Sequence, residues 1–264
     1  MRLDKYITER GFAESRTRAE KLILAGLVSV DGSVKNKPSY DVDDSVAHDV
    51  LVVNNEKFVS RGGLKLEGAL CEFKIDVTDL NIIDVGASTG GFTDCLLQRG
   101  ARSVTALDSG RDQLHAKIRD DKRVRAIEGY NARAISQSDV GMFDGAVMDV
   151  SFISQTLIIP SLVNVIADGG FFVSLIKPQF EAGRSALGKG GIIKRAEDRL
   201  SSVMRVCACA EENDLSLENL TVSPIEGGDG NIEYLAHFIK KEGGAADSVL
   251  RFGTDRIKHI VMNK

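Results

Sequence analysis

Between Asn81 and Gly91 the chain reads N-I-I-D-V-G-A-S-T-G-G, and no other stretch restricts the fold as much. Asn81-Ile82-Ile83-Asp84-Val85 predicts a short buried strand, because β-branched residues crowd it. The strand breaks into Gly86-Ala87-Ser88-Thr89-Gly90-Gly91, after which Phe92 to Arg99 carries helical spacing up to Gly100. Strand, glycine-rich turn and helix in that order build the nucleotide site of an open α/β sheet. The glycines let backbone approach a ligand, and the helix N-terminus faces it.

Spacing narrows the ligand. Gly86, Gly90 and Gly91 do not make the G-x-G-x-x-G of a dinucleotide site, and no G-x-x-x-x-G-K-[ST] occurs. Asp84 stands two positions before the first glycine, and Asp108 ends the next predicted strand, Ser103 to Leu107. An acid at that strand end can accept both ribose hydroxyls of an adenosine. Taken alone, the glycines also fit an ordinary tight βα turn. With Asp108 the pattern D-x-G-x-x-x-G-G resembles the S-adenosylmethionine site of Rossmann-like methyltransferases. The expected fold class is α/β, a Rossmann-like methyltransferase sheet with a small N-terminal α+β unit. Asp84, Gly86, Ser88, Thr89, Gly90, Gly91 and Asp108 are the candidate cofactor contacts.

At 264 residues, 43% hydrophobic and 27% charged, the chain is long enough for one large domain or two and has the composition of a soluble globular protein. No apolar run is long enough to span a bilayer, and M-R-L-D-K-Y-I-T-E-R is too charged for a signal peptide. A cytoplasmic monomer is expected. Cys71, Cys95, Cys207 and Cys209 lack zinc or redox spacing, and His48, His115, His237 and His259 are scattered. No metal is expected.

The net charge of −4 hides an asymmetry: Met1 to Pro38 holds eight Lys or Arg against five Asp or Glu, Glu14 among them. Leu3, Tyr6 and Ile7 mark one face of a first helix that Gly11 ends. Ser15 is a candidate N-cap for a second helix, Arg16 to Ala25, closed by Gly26. On that helix Arg18, Lys21 and their neighbour Arg16 can share a side while Ala19, Leu22 and Ile23 pack inward. Leu27 to Val30 is a strand, Asp31-Gly32 a hairpin turn, Ser33 to Lys35 the return, and Val50 to Val53 a further strand. The order R-L-D-K, S-R-T-R-A-E-K-L-I-L-A-G-L-V-S-V-D-G, K-P-S resembles the small RNA-binding domain named after ribosomal protein S-four. That resemblance implies that Arg16, Arg18, Lys21 and Lys35 face RNA, where charges on a rigid face hold phosphates without reading much sequence. A solvated helix face is the bland alternative.

The expected domains are residues 1–53 for RNA, a joint at 54–60 around Asn54-Asn55-Glu56-Lys57-Phe58, and a catalytic domain over 61–264. Lys65 falls in the first turn of a helix that includes Leu66, Ala69 and Leu70. Beyond the glycine turn, Gln113 to Ile118 reads as helix and Val124 to Ile127 as a strand leading to Asn131, which can bond an adenine edge. Phe143 to Met148 reads as a strand ending at Asp149, and Phe152 to Val165 as a helix interrupted by Pro160. Gly170 to Ile176 is a strand delivering Lys177, and Ala196 to Asn213 a helix. Leu217 to Val222 and Ile232 to Ile239 form a terminal strand pair around the loop Pro224 to Gly230. Alternating strands and helices imply a mainly parallel sheet with right-handed crossovers, and ligands gather at the carboxyl ends of its strands.

A lysine at such a strand end can take a proton from a ribose 2′-hydroxyl or polarise it. Lys65, Asp149, Lys177 and Glu233 resemble the Lys-Asp-Lys-Glu tetrad of ribose 2′-O-methyltransferases of the FtsJ/RrmJ superfamily. The strings are S-R-G-G-L-K-L, V-M-D-V-S-F-I-S, I-K-P-Q-F-E-A-G-R and G-N-I-E-Y. With the basic N-terminal unit they resemble the TlyA, or hemolysin A, family across nearly the whole chain. The resemblance implies methylation of cytidine riboses in ribosomal RNA or ribosomal subunits, with S-adenosylmethionine as donor. Lys177 would activate the hydroxyl, Lys65 and Glu233 would hold the ribose and its proton network, and Asp149 would orient Lys177 and touch the donor's methionine end. Many relatives carry Gly-Pro where this chain has Gly227-Gly228. Singly, Asp149 also fits a helix cap and either lysine a surface residue. An RNA-binding protein without catalysis, a methyltransferase acting on a base or protein, and a hemolysin-like protein with an indirect membrane effect are the competing readings.

Overall fold

The computed structural model describes residues 1–13, 15–24, 26–52, 57–183, 186–227, 230–242 and 252–264. Glu14, Ala25, Val53 and Gly228, named above for the basic segment, the second helix, a strand end and the C-terminal loop, lie outside the described residues, as do Asn54, Asn55, Glu56 and Asp229. The chain divides into two compact units, Met1–Glu56 and Lys57–Lys264.

In the first unit α1 (Leu3–Glu9) and α2 (Arg16–Leu24) precede β1 (Val28–Val30), β2 (Ser33–Lys35) and β3 (Val50–Val52). The three strands form an antiparallel sheet in the order β2-β1-β3. Ser15 Oγ accepts the Arg18 N–H at 3.2 Å, the N-cap bond that starts α2. Leu3 and Ile7 of α1, Ala19 and Ile23 of α2 and Val28 of β1 are completely buried and make the core. Removing that apolar surface from water is what holds so small a unit together.

In the second unit α3 (Gly62–Glu72) comes first. It is followed by β4 (Asn81–Val85), α4 (Gly91–Gln98), β5 (Ser103–Asp108), α5 (Ala116–Arg119), β6 (Val124–Glu128), α6 (Gln137–Val140) and β7 (Phe143–Met148). Then come α7 (Ile159–Leu162), β8 (Ile166–Ile176), α8 (Pro178–Glu181), α9 (Ala196–Glu212), β9 (Leu215–Val222), β10 (Tyr234–Lys240) and α10 (Thr254–Met262). Seven strands lie in the order β6-β5-β4-β7-β8-β10-β9, with β10 antiparallel to both neighbours and the pairs from β6 to β8 parallel. The chain leaves β4 in one direction through β5 and β6, then returns to its other side at β7. That reversal opens a crevice at the carboxyl ends of β4 and β7.

Strand alternation divides the core between the two faces. Ile82, Val104 and Val147 pack with Leu66 and Leu70 of α3 and Leu96 of α4; Ile83, Leu107 and Met148 pack with Val203 and Val206 of α9. Helices on both faces bury most of β7 and β8, which is why those strands read as nearly continuous apolar runs.

Two helical segments differ from the sequence expectation. The helix expected over Gln113 to Ile118 is only α5, because Asp112 takes φ +56° and His115 Nδ1 caps the shorter turn by accepting the Lys117 N–H. Phe152 to Val165 is a chain of short turns around α7, since Phe152 adopts φ +64° and Pro160 lies in the first turn of α7 instead of inside a longer helix. The strand expected from Gly170 starts at Ile166. Ile257 and Val261 of α10 are fully buried against the α9 side of the sheet.

Lys57 to Ser60, expected in the joint, are held by the second unit. Phe58 is buried beneath Gly63, where a Cβ would meet the ring at 2.3 Å. The Val59 N–H donates to the buried Asp94 at 2.8 Å, and Gln98 Nε2 donates to the Lys57 carbonyl at 2.8 Å.

Candidate active site

Lys177 leaves the end of β8 and Asp149 the end of β7. Lys177 Nζ stands 2.6 Å from Asp149 Oδ1 and donates to Ser151 Oγ at 2.7 Å. Adjacent parallel strands deliver these side chains to one edge, so the pair is a direct product of sheet order. The Asp149 backbone N–H donates to the Val85 carbonyl at 3.0 Å, which ties the ends of β7 and β4 together. Gly86 follows with φ +85°, where a Cβ would lie 2.7 Å from the Asp149 carbonyl oxygen. Only glycine permits both that backbone and that approach.

Lys65, in the first turn of α3, donates to Glu233 Oε2 at 2.5 Å. Their side chains are 10% and 3% exposed, so two opposite charges share a nearly dry site. Gly227 sits against the other carboxylate oxygen: a Cβ there would stand 2.6 Å from Glu233 Oε1.

Lys65, Asp149 and Lys177 all line one cavity of about 230 Å³, together with Gly86, Ser88, Thr89 and Gly91 of the glycine turn. A second cavity of about 360 Å³ shares Gly86, Ser88, Asp149 and Ser151 with it and continues to Asp108 and Asn131. Asp108 Oδ2 accepts the Ser88 N–H at 2.8 Å and Oδ1 the Gly110 N–H at 2.7 Å. A carboxylate has about four lone-pair sites, so Asp108 retains capacity for a diol. Asn131 Oδ1 caps the following turn by accepting the Arg133 N–H at 3.1 Å.

Two of the candidate cofactor contacts lie apart from these linings. Asp84 is completely buried, accepts from Thr93 Oγ1 at 2.6 Å, and has no partner for Oδ1 among the described residues. Burial, with Asp149 adding repulsion and Thr93 opposing, raises its pKa to about 7. Gly90 initiates α4, and a Cβ there would lie 2.9 Å from Leu114 and 3.2 Å from Ile118. Sequence reasoning alone misses Ser151, Arg61 and Phe152. Arg61 lines the first cavity and donates from Nη2 to the Glu226 carbonyl at 3.0 Å. Phe152 lines the second, 90% exposed, its ring 5.0 Å from that of Phe180. Their positions in S-R-G-G-L-K-L and D-V-S-F-I-S, two to four residues from tetrad members, are the only signal that points to them.

In the first unit Arg16 Nη2 binds Asp4 Oδ2 at 2.8 Å, and Arg2 grips both oxygens of the same buried carboxylate at 3.0 Å. The two guanidiniums hold the Asp4 carboxyl well below the usual range. Lys35 Nζ lies 4.4 Å from the centre of the Tyr40 ring, Lys21 is exposed and Arg18 half-buried. Among the described residues no helix is long and apolar enough to cross a membrane, and no group of three or more His, Cys, Asp or Glu is placed to hold a metal.

Comparison with known proteins places the chain among relatives. Residues 58–240 match the model of the FtsJ-like methyltransferases, and residues 1–47 match the S4 domain. Hemolysin A of Brachyspira hyodysenteriae is 46% identical over 246 residues, covering 90% of this chain and all of that one. The 16S/23S rRNA (cytidine-2′-O)-methyltransferase TlyA of Mycobacterium tuberculosis is 41% identical over 234 residues, 88% of this chain and 87% of that one. A solved structure described as a putative hemolysin from Streptococcus thermophilus superposes with a TM-score of 0.75 at 42% identity, covering the whole of this chain and 94% of that one. The matches span both the basic α+β unit and the sheet that carries the Lys-Asp-Lys cavity, and the chain belongs to the FtsJ-like methyltransferases, in the TlyA or hemolysin A group that carries an N-terminal S4 domain.

Proposed function

We propose that this protein transfers a methyl group from S-adenosylmethionine to ribose 2′-hydroxyls of RNA, with cytidines of ribosomal RNA as its targets. The observation that carries the reading is the meeting of Lys65, Asp149 and Lys177 on one cavity, with Glu233 bonded to Lys65. The joined cavities fit the donor chemically: bare backbone at Gly86, an acid with spare acceptor capacity at Asp108, and an amide at Asn131 for an adenine edge. Ser88, Thr89 and Gly91 would complete the cradle; Asp84 and Gly90 would shape it from beneath.

S-adenosylmethionine, when bound, supplies a sulfonium methyl group that needs no further activation. The hydroxyl is the poor partner, and the chain's own residues act on it. Lys177 Nζ, oriented by Asp149 and Ser151, accepts or polarises the hydroxyl proton. Lys65 and Glu233 hold the ribose. The rest of the gain comes from fixing oxygen and methyl carbon in line. Phe152 offers an exposed aromatic face at the mouth, on which an unstacked base can lie. Arg16, Arg18, Lys21 and Lys35 of the first unit grip phosphates, and the RNA unit gives way to the catalytic unit just before Lys57.

The test is methyl transfer from tritiated S-adenosylmethionine to naked ribosomal RNA, separated subunits and whole ribosomes. Lys177→Ala is expected to abolish transfer while donor binding, read by calorimetry, stays within a few-fold of wild type. Retained turnover in that variant removes Lys177 from the chemistry.

A further inference from the structure

Lys177 and Asp149 belong to two short segments, 177–181 and 149–155, that run beside each other at the sheet edge. They are cross-linked at three levels. Lys177 binds Asp149 and Ser151 at the cavity. Phe180 meets Phe152 with ring centres 5.0 Å apart. At the far end the Glu181 carboxylate accepts from Ser154 Oγ at 2.5 Å and from the Gln155 backbone N–H at 2.8 Å. Gln155 in turn donates from Nε2 to the Leu175 carbonyl at 2.7 Å and accepts from Ser174 Oγ, which fastens the far end to β8 itself.

Glu181 is 3% exposed and lines neither cavity. Burying a carboxyl is costly unless its bonds are made, and both of its oxygens here bond the segment that carries Asp149. Three further features separate it from a surface acid capping a turn. Its backbone carbonyl is held by Arg205 Nη1 at 2.5 Å, so its own segment is anchored to α9. Ser154 is also bonded to Thr156 at 2.8 Å. Between the two cross-linked ends Phe152 is forced to φ +64°, a conformation that bulky residues keep only when their surroundings fix it.

We infer that Glu181 is a positioning residue for methyl transfer: by clamping Ser154 and Gln155 it fixes the distance of Asp149 and Ser151 from Lys177, and with it the aim of the Lys177 amine. The inference rests on the reading of Lys177 as the group that acts on the hydroxyl. Glu181 touches no reactant, and its effect passes through the geometry of the other end of the clamp.

The experiment is single-turnover methyl transfer to ribosomal subunits, with donor binding by calorimetry and thermal melting on the same samples. Glu181→Gln can keep both links, its oxygen accepting from Gln155 and its amide donating to Ser154. It is expected to retain at least a third of the wild-type rate. Glu181→Ala is expected to lose about 10- to 100-fold in rate, with donor affinity within twofold, the scale on which misplacement away from the chemistry acts. Ser154→Ala, which cuts one link without touching the carboxyl, is expected to lose several-fold and to add nothing in combination with Glu181→Ala. Should Glu181→Ala fail to fold, Ser154→Ala decides: an unchanged rate overturns the proposal. It is equally overturned if Glu181→Ala melts lower but turns over normally, if rate and donor affinity fall together, or if Glu181→Gln is as slow as Glu181→Ala. Lys177→Ala is run alongside; activity there defeats the underlying reading and leaves the Glu181 comparison as a separate result.

Discussion

Lys65 and Glu233 are 168 residues apart in the chain and share a 2.5 Å ion pair from which water is nearly excluded. Removing one partner leaves the other charge stranded. Lys65→Ala and Glu233→Ala are each expected to cost about 3–5 kcal/mol in urea denaturation. An apolar pair of similar volume, Lys65→Met with Glu233→Leu, should recover most of that stability and still be inactive. The double replacement therefore separates the two roles of the pair. Activity in it, or stability no better than in the single variants, would count against the account.

Phe152 combines 90% exposure with φ +64°. Such a backbone costs a bulky residue about 1–3 kcal/mol, and the Phe180 ring contact returns only about 0.5–1.5 kcal/mol. Phe152→Gly is therefore expected to melt no lower than wild type. It should nevertheless weaken the RNA step, since stacking on an aromatic ring is worth about 1–3 kcal/mol per base. The check is KM for RNA beside thermal melting; an unchanged KM with an unchanged rate means that no base lies on the ring.

The half of the candidate site proposed for the donor is legible in the sequence because its signals are local. A β-branched run, a glycine turn and an acid at the next strand end fix β4, α4 and Asp108 without knowledge of distant contacts. The tetrad is legible only through its strings, since nothing in composition or period says that the ends of β7 and β8 are neighbours or that Lys65 reaches Glu233. The rest is hidden for physical reasons. Asn54 to Phe58 read as polar and aperiodic, yet Phe58 is buried and Asp94 holds the Val59 N–H; both are tertiary contacts that a local window does not contain. The helix expected over Phe152 to Val165 fails at Phe152, whose left-handed backbone no propensity scale assigns to phenylalanine. Asp84 looks like a ligand acid because it precedes the glycines, but strand burial turns it towards Thr93.

Arg16 is one of two guanidiniums on Asp4, and Arg2 alone can grip both carboxylate oxygens. Arg16 is more than half exposed, so Arg16→Ala should cost under about 1 kcal/mol of stability. The phosphate contact proposed for it is a different quantity. Each lost contact lowers the slope of log K against log salt by about 0.7–0.9, and Lys21→Ala should lower it by a similar step. Arg16→Lys should keep the slope, because the charge remains. Binding titrations at several salt concentrations measure this directly, and an unaltered slope in the alanine variants places the phosphate grip elsewhere.

Asp84 carries the clearest pH dependence. Its carboxyl titrates at about 7 in the fold, against 3.8 for an ordinary aspartate, because burial disfavours the ion more than the Thr93 bond favours it. The unfolded chain therefore ionises first as pH rises. The stability associated with the neutral form is complete below about pH 4, declines through the interval up to 7, and is gone above it. Each pH unit of that interval is worth about 1.36 kcal/mol, so the loss amounts to roughly 4 kcal/mol. Asp84→Asn keeps the shape, keeps an acceptor for the Thr93 hydroxyl and cannot ionise. Relative to wild type, its urea midpoint should gain steadily between about pH 4 and 7 and then run parallel. Equal slopes for the two proteins across that interval would mean that the buried carboxyl is already charged in the fold.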